Sequence, residues 1–282
     1  MTETNQVAAV EELLETLGGI PPVPEVARQV LRLSGAEDAR LPDITRLIAT
    51  DQGLATQVLS ACHSASYGIP RRIDSLSRAA ALLGFKAVRN LVVLHSIPRR
   101  RSGTATYAEA AIWTHAAAGA VVARLLASEK RICDPEEAML GGLVHDAGRL
   151  VLNLLMPERY EPVMRSIYNR DGDSIAIERR ALGCDHTLVG RLVLRAWDFP
   201  EQLIEAVATH HDDPAALEGL PLLVRAADEQ LWRMGFGVRE APVPDGGVPP
   251  ALAKLGYAWE DLPAQEERVR AAVAAGTEFF GA

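Results

Sequence analysis

The sequence predicts an all-α protein. Hydrophobic residues make up 48% of the chain, mainly Ala, Leu and Val, and aromatics only 5%, a bias that suits closely packed helices better than a sheet sandwich. Apolar residues recur at helical spacing in segment after segment, and no strand alternation competes with them.

Val7 to Leu17 reads as a short helix stopped by Gly18-Gly19. Ile20-Pro21-Pro22-Val23-Pro24 must be extended, because consecutive prolines exclude helix. Pro24 is acceptable in a first turn, and Val26, Val30, Leu31 and Leu33 then follow at helical spacing. Leu41-Pro42-Asp43 opens a third helix with Ile44, Leu47 and Ile48 on one face; Asp51-Gln52-Gly53 interrupts, and Leu54 to Ala61 forms a fourth. Ser64 to Pro70 is a loop. Ser75 is placed to cap a helix running through Leu82-Leu83, Gly84 breaks it, and Phe85 to Ser96 starts another.

Pro98 through Thr106, rich in Arg, Ser, Gly and Thr, is the candidate boundary between subdomains. Longer helices follow it: Ala108 to Ser128, Pro135 to Leu155, Glu158 to Asn169, Ser174 to Leu182, His186 to Ala196, Pro200 to His210 and Pro221 to Met234. Glu240 to Pro250 reads as a loop or mobile linker before a last helix, Glu260 to Phe280. The expected organisation is an N-terminal helix at 1–17, a domain at 18–235 divided into subdomains 18–100 and 105–235, and a linker with a C-terminal helix at 236–282.

A net charge of -8 denies the chain the positive field that non-specific nucleic-acid binding requires, so no direct nucleic-acid partner is expected. Arg71-Arg72 and Arg99-Arg100-Arg101 are local exceptions, able to meet a phosphate or an acidic partner but equally readable as solvated faces. Cys62, Cys133 and Cys184 are odd in number and widely spaced, which indicates reduced, partly buried thiols rather than a disulfide framework or a thiolate zinc site. The segment Met1 to Gln6 has no basic region leading into an apolar stretch, and no run approaches a membrane span of about 20 apolar residues. A cytoplasmic location without a membrane partner is expected.

Five of the seven histidines fall after residue 110, at the ends or inner faces of expected helices. In Leu140-Gly141-Gly142-Leu143-Val144-His145-Asp146-Ala147-Gly148-Arg149-Leu150 a His-Asp pair is embedded in an apolar helix, where an ionised carboxylate is costly unless paired or coordinating a cation. Adjacent helical residues point roughly 100° apart, so this pair can ligate together only a metal lying between their directions. His210-His211 closes a helix, Asp228 sits in the apolar run Val224-Arg225-Ala226-Ala227-Asp228, and His115 in Ile112-Trp113-Thr114-His115-Ala116. Taken singly, His115 also reads as a satisfied core histidine, and His210-His211-Asp212-Asp213 as a polar helix end. Together, imidazoles and carboxylates suit a divalent metal such as iron, manganese, nickel or zinc.

The order His115, His145-Asp146, His210-His211, Asp228 resembles the HD superfamily of metal-dependent phosphohydrolases, with His186 in the place of the extra histidine of its binuclear branch, the HD-GYP phosphodiesterases. Upstream, Ile20-Pro21-Pro22-Val23-Pro24-Glu25-Val26, Ile48-Ala49-Thr50-Asp51-Gln52-Gly53-Leu54, Ser64-Ala65-Ser66-Tyr67-Gly68 and Ala80-Ala81-Leu82-Leu83-Gly84 resemble the HD-related output domain, HDOD. Gly183-Cys184-Asp185-His186-Thr187-Leu188-Val189-Gly190 continues that likeness, which runs from about Gly18 to Asp228.

The resemblance implies a bacterial signalling module: an HD-superfamily helical core with an N-terminal helical extension, found alone or joined to receiver, sensory or cyclic-di-GMP turnover domains. Many such proteins have lost ligands and act by protein contacts. The resemblance also implies a ligand set, with Asp146 bridging two metals, His115, His145 and Asp228 around one, and His186, His210 and His211 around the other. Two-metal chemistry would follow, a bridging hydroxide attacking phosphorus, with Asp146 and Arg149 as the catalytic residues. The chain departs from the enzymes twice. Arg149 replaces a lysine, keeping its charge but not its geometry of phosphate contact. After His210-His211 the chain runs Asp212-Asp213-Pro214-Ala215, without the Gly-Tyr-Pro element that would warrant cyclic-di-GMP specificity. The leading expectation is a regulatory HDOD protein that holds a divalent metal and meets a signalling protein partner. The alternative is a metal-dependent phosphohydrolase acting on a nucleotide, a cyclic nucleotide or another phosphoester.

Overall fold

The protein is described by a computed structural model covering residues 3–34, 40–62, 73, 75–98, 106–169, 173–236 and 247–280. These residues contain α-helices, short 3-10 turns and no strand. The first set comprises α1 (Glu3–Thr16), α2 (Glu25–Ser34), α3 (Leu41–Ile48), α4 (Gln52–Cys62), α5 (Leu76–Leu83) and α6 (Phe85–Ser96). The second comprises α7 (Tyr107–Lys130), α8 (Pro135–Val144), α9 (Ala147–Leu155), α10 (Pro157–Tyr168), α11 (Ser174–Leu182), α12 (His186–Ala196), α13 (Glu201–Thr209) and α14 (Gly219–Met234). Then α15 (Pro250–Lys254) and α16 (Leu262–Phe280) follow. The all-α expectation holds, with bounds for α6, α11 and α12 as expected.

Local chemistry accounts for the starts of the helices that carry the site. Thr106 accepts from the Glu109 amide at 3.2 Å to begin α7. Asp134 accepts from the Glu136 and Glu137 amides ahead of Pro135 at the opening of α8, and Asp185 caps α12 through the amides of Thr187 and Leu188, both at 3.0 Å. Each side chain satisfies donors that a helix end leaves unpaired. Ser75 occupies the expected cap position of α5, but its side chain makes no capping hydrogen bond.

One expected element is corrected. The stretch Pro135 to Leu155 is not a single helix: α8 ends at Val144, and Asp146, at φ -97°, ψ 21°, lies outside the helical region before α9 begins. Its carboxylate does not cap α9. Its Oδ1 instead accepts from Arg149 Nε at 2.9 Å and faces His186 at 3.3 Å, while its Oδ2 faces His115 and His145.

The apolar side chains form one continuous core from Val10 of α1 to Val273 of α16. Helix α7 runs through it, packed against α8, α14 and α16. By length and apolarity α7 could cross a membrane, an exception to the expectation that no run approaches a span; 61% of its most apolar window is buried in the fold, as befits a central core helix. The earlier helices join this core through α6, where Asn90 Nδ2 donates to the Glu136 carbonyl at 2.8 Å and Arg89 Nη1 meets Glu137 at 3.2 Å. Trp197 Nε1 donates to the Pro21 carbonyl at 2.8 Å, tying the extended proline segment to the end of α12. Cys62, Cys133 and Cys184 are free thiols, the first and last buried. Arg71-Arg72, Arg99 to Arg101, the loop Ser64 to Pro70 and most of the segment Glu240 to Pro250 lie outside the described residues.

Candidate metal centre

Two glycine contacts bring the site together. A Cβ on Gly119 of α7 would lie 2.7 Å from the Gly142 carbonyl oxygen of α8, and a Cβ on Gly142 would overlap the Gly119 carbonyl. Only two glycines let these backbones approach so closely. One turn away on each helix, His115 and His145 then meet with their Nε2 atoms 3.1 Å apart. On the opposite flank a Cβ on Gly148 of α9 would overlap the His186 carbonyl and lie 2.8 Å from the Gly190 amide nitrogen of α12. That contact sets Asp146 and Arg149 against His186.

His115, His145, Asp146, His186, His210 and Asp228 converge, each between 0 and 3% exposed, and His211 beside them is half-buried. On the first side, His115 Nε2 lies 3.1 Å from Asp228 Oδ1 and 3.8 Å from Asp146 Oδ2, while His145 Nε2 lies 3.6 Å from Asp146 Oδ2 and 4.0 Å from Asp228 Oδ1. Metal bonds of about 2.0–2.2 Å place donor atoms roughly 3.0–3.5 Å apart, so this group is close to a coordination shell. The two imidazoles keep their Nδ1 atoms turned outward, His115 to the Phe236 carbonyl at 3.3 Å and His145 to the Gly142 carbonyl at 2.8 Å. A nitrogen facing a carbonyl carries a proton, so both rings turn Nε2, the atom that would ligate, inward. Asp228 Oδ2 is buried and has no hydrogen-bond partner among the described residues. Converging Nε2 atoms and an orphaned buried carboxylate oxygen fit a cation.

The second side is built differently. His186 Nε2 lies 3.3 Å from Asp146 Oδ1 and 3.2 Å from His210 Nε2, and His186, His210 and His211 bring their donor atoms within 4.8 Å of one another. Here His186 Nδ1 donates to Glu178 at 2.6 Å and His210 Nδ1 to the Val207 carbonyl at 2.8 Å. Arg149, 1% exposed, also occupies this side: its Nε donates to Asp146 Oδ1 at 2.9 Å and its Nη1 to Glu178 Oε1 at 2.8 Å. Tyr160 donates to the same Glu178 oxygen at 2.8 Å.

The electrostatics follow from this packing. Burial opposes the charge on Asp146, but Arg149 and the surrounding imidazoles hold its carboxyl well below the usual range. Burial likewise opposes charge on Asp228, yet the hydrogen bond and charge of His115 bring it down to about 2. Burial lowers His145; burial with His145 and His186 nearby lowers His210 to about 3; burial, with His210, His186, Arg149 and Arg225 of α14 nearby, holds His211 well below its ordinary value. His115 moves the other way, because the hydrogen bond and charge of Asp228 outweigh its burial. Ionised Asp146 and Asp228 and the lowered His145, His210 and His211 favour the protonation states that metal binding requires, while a metal at His115 would have to displace the proton that Asp228 favours there.

All seven residues singled out as ligands therefore share one site, and Arg149 lies in it with its guanidinium turned toward Asp146 and Glu178. The sequence reading missed Glu178, fully buried at the hub of Arg149, Tyr160 and His186. Followed by Arg179-Arg180, it reads as part of a solvated helix face. The carbonyls of Gly142, Val207 and Phe236, which orient three of the imidazoles, carry no side-chain signal at all.

The family model of the HDOD domain matches residues 20–213. An uncharacterized protein of Treponema pallidum (strain Nichols) is 26% identical over 224 residues, which is 77% of this chain and 42% of that protein. The chain thus spans about two-fifths of the length of this curated relative. Among solved structures, an HDOD domain protein of unknown function from Geobacter sulfurreducens superposes with a TM-score of 0.82 at 20% identity, covering 99% of both chains. A protein from Marinobacter aquaeolei VT8 named as a candidate for signal transduction gives a TM-score of 0.77 at 23% identity, over 99% of this chain and 65% of that one. A candidate phosphohydrolase from Shewanella amazonensis SB2B gives 0.72 at 21% identity, over 95% and 97%. At these identities the structural likeness concerns the fold.

Proposed function

The chain belongs to the HDOD-domain family, and from that membership we propose that it is a regulatory module that acts through protein contacts and holds a divalent metal at the His-Asp cluster as part of its folded architecture. The module corresponds to residues 18–235, with 18–100 as its N-terminal helical part and 105–235 as the part that carries the site. The observation that carries this reading is burial. His115, His145, Asp146, His186, His210 and Asp228 are each no more than 3% exposed, so a metal held there is sealed among side chains rather than presented to a phosphoester. Arg149 supports the same reading, since the cation that replaces the lysine of the enzymes spends its donors on Asp146 and Glu178. A structural metal of this kind binds the folded state and not the unfolded chain, and so stabilises the surface that a partner would read.

One specific observation favours the alternative, a metal-dependent phosphohydrolase: the two oxygens of Asp146 face two separate donor groups, as a bridging ligand would. Hydrolysis of a generic phosphodiester and a generic phosphomonoester with added Mn²⁺, measured for the wild type beside His145→Ala, separates the two. The regulatory reading expects no turnover above the variant. Metal-dependent turnover that disappears in His145→Ala overturns it in favour of the enzyme.

A further inference from the structure

We propose that Arg149 stands where a second metal would otherwise sit, so that the cluster holds a single divalent ion, on the His115, His145, Asp146 and Asp228 side. This inference rests on the metal-site reading above and deepens it by assigning the number and place of the ion.

Contacts on the second side leave little for a cation to use. Asp146 Oδ1, the oxygen that faces His186 and His210, already accepts from Arg149 Nε at 2.9 Å. Arg149 Nη2 lies 3.5 Å from His186 Nε2, so the lone pair that would ligate a metal there faces a guanidinium. Arg225 engages the third donor: its Nη1 lies 3.4 Å from His211 Nδ1 and 3.2 Å from the His210 carbonyl oxygen. An arginine thus stands against one ring nitrogen of His211, where a metal would have to compete with it. On the first side, among the described residues, no arginine or lysine is paired with Asp228 or with Asp146 Oδ2, and Asp228 Oδ2 lacks a hydrogen-bond partner. The orphaned acceptor and the cation are on opposite sides of Asp146.

Charge balance leads independently to the same number. Three buried carboxylates surround the cluster, Asp146, Glu178 and Asp228. The other buried acids nearby are neutralised outside it, Asp185 by Arg179 at 2.7 Å and Glu229 by Arg225 at 3.1 Å. Arg149 offsets one of the three, and one dication offsets the remaining two. A second dication would leave a double positive charge in a region sealed from water, where unbalanced charge is strongly disfavoured.

Mn²⁺ titration of the metal-stripped full chain, read by equilibrium binding and by electron paramagnetic resonance, tests this without reference to turnover. The expected result is one Mn²⁺ per chain with the spectrum of an isolated ion. Arg149→Met should take up a second, weaker ion with a spin-coupled spectrum. Two ions with a coupled spectrum in the wild type overturn the inference while leaving the metal site standing. No uptake by the wild type overturns both. Should Arg149→Met fail to fold, the wild-type count decides alone; a folded Arg149→Met that still binds one ion with unchanged affinity also overturns the role given to Arg149.

Discussion

Gly119 and Gly142 touch backbone to backbone, and the 3.1 Å approach of His115 to His145 depends on that contact. Gly142→Ala forces its new methyl into the Gly119 carbonyl, and neither helix backbone can yield without parting α7 from α8. Overpacking of this kind costs about 1–3 kcal/mol. Chemical denaturation should show that loss, and Mn²⁺ titration should show weaker binding because the two imidazoles separate. Unchanged affinity in a destabilised variant would mean that the glycine contact does not set the site.

Glu178 offers a second test, since it neutralises Arg149, accepts from Tyr160 and orients His186. Glu178→Gln leaves the buried guanidinium short of a counter-charge, and breaking a buried pair in this way costs about 3–5 kcal/mol. Tyr160→Phe removes one hydrogen bond to the same carboxylate and should cost only about 1 kcal/mol. Urea denaturation of both variants checks the order. Equal losses would show that the charge on Glu178 does not hold Arg149 in place.

The imidazoles make stability depend on pH with a defined sign. The unfolded chain protonates His210 near the reference value of about 6.5, whereas the folded chain does so only at about 3. Between those values the unfolded state binds the extra proton, so acidification through that window removes stability. His145 and His211, both lowered chiefly by burial, act in the same direction. His115, raised by Asp228, opposes them: its contribution is complete below about 6.5 and is lost as pH rises through its raised folded value. With three imidazoles against one, the thermal midpoint of the metal-stripped protein should be lower at about pH 5 than at about pH 7.5. His210→Gln should flatten that dependence; a midpoint that climbs on acidification contradicts the account.

Much of this was legible in the sequence for identifiable reasons. Helices α11 and α12 have their expected bounds because Gly183 ends one in a left-handed cap at φ 81° and Asp185 starts the next with its side chain. The candidate ligands could be brought together because histidine and aspartate stand out within apolar runs such as Leu140 to Leu150. The break at His145-Asp146 could not, since the apolar pattern continues across it and no glycine or proline marks it. Nor could the partners of Arg149: a cation three residues from an acid reads the same whether it faces solvent, substrate or, as here, Glu178.

The central claim is that this buried cluster holds a divalent metal, and elemental analysis of the wild type purified without chelator, beside Asp228→Ala, tests it most directly. Asp228 supplies the orphaned oxygen and the close partner of His115, and Arg149 makes its own contacts with Asp146 and Glu178 rather than with Asp228. The account predicts about one equivalent of iron, manganese, nickel or zinc in the wild type and a substoichiometric trace in the variant, with a lower unfolding midpoint wherever the metal is missing. Wild-type protein that is folded but carries metal near zero, and takes up none when it is supplied, contradicts it.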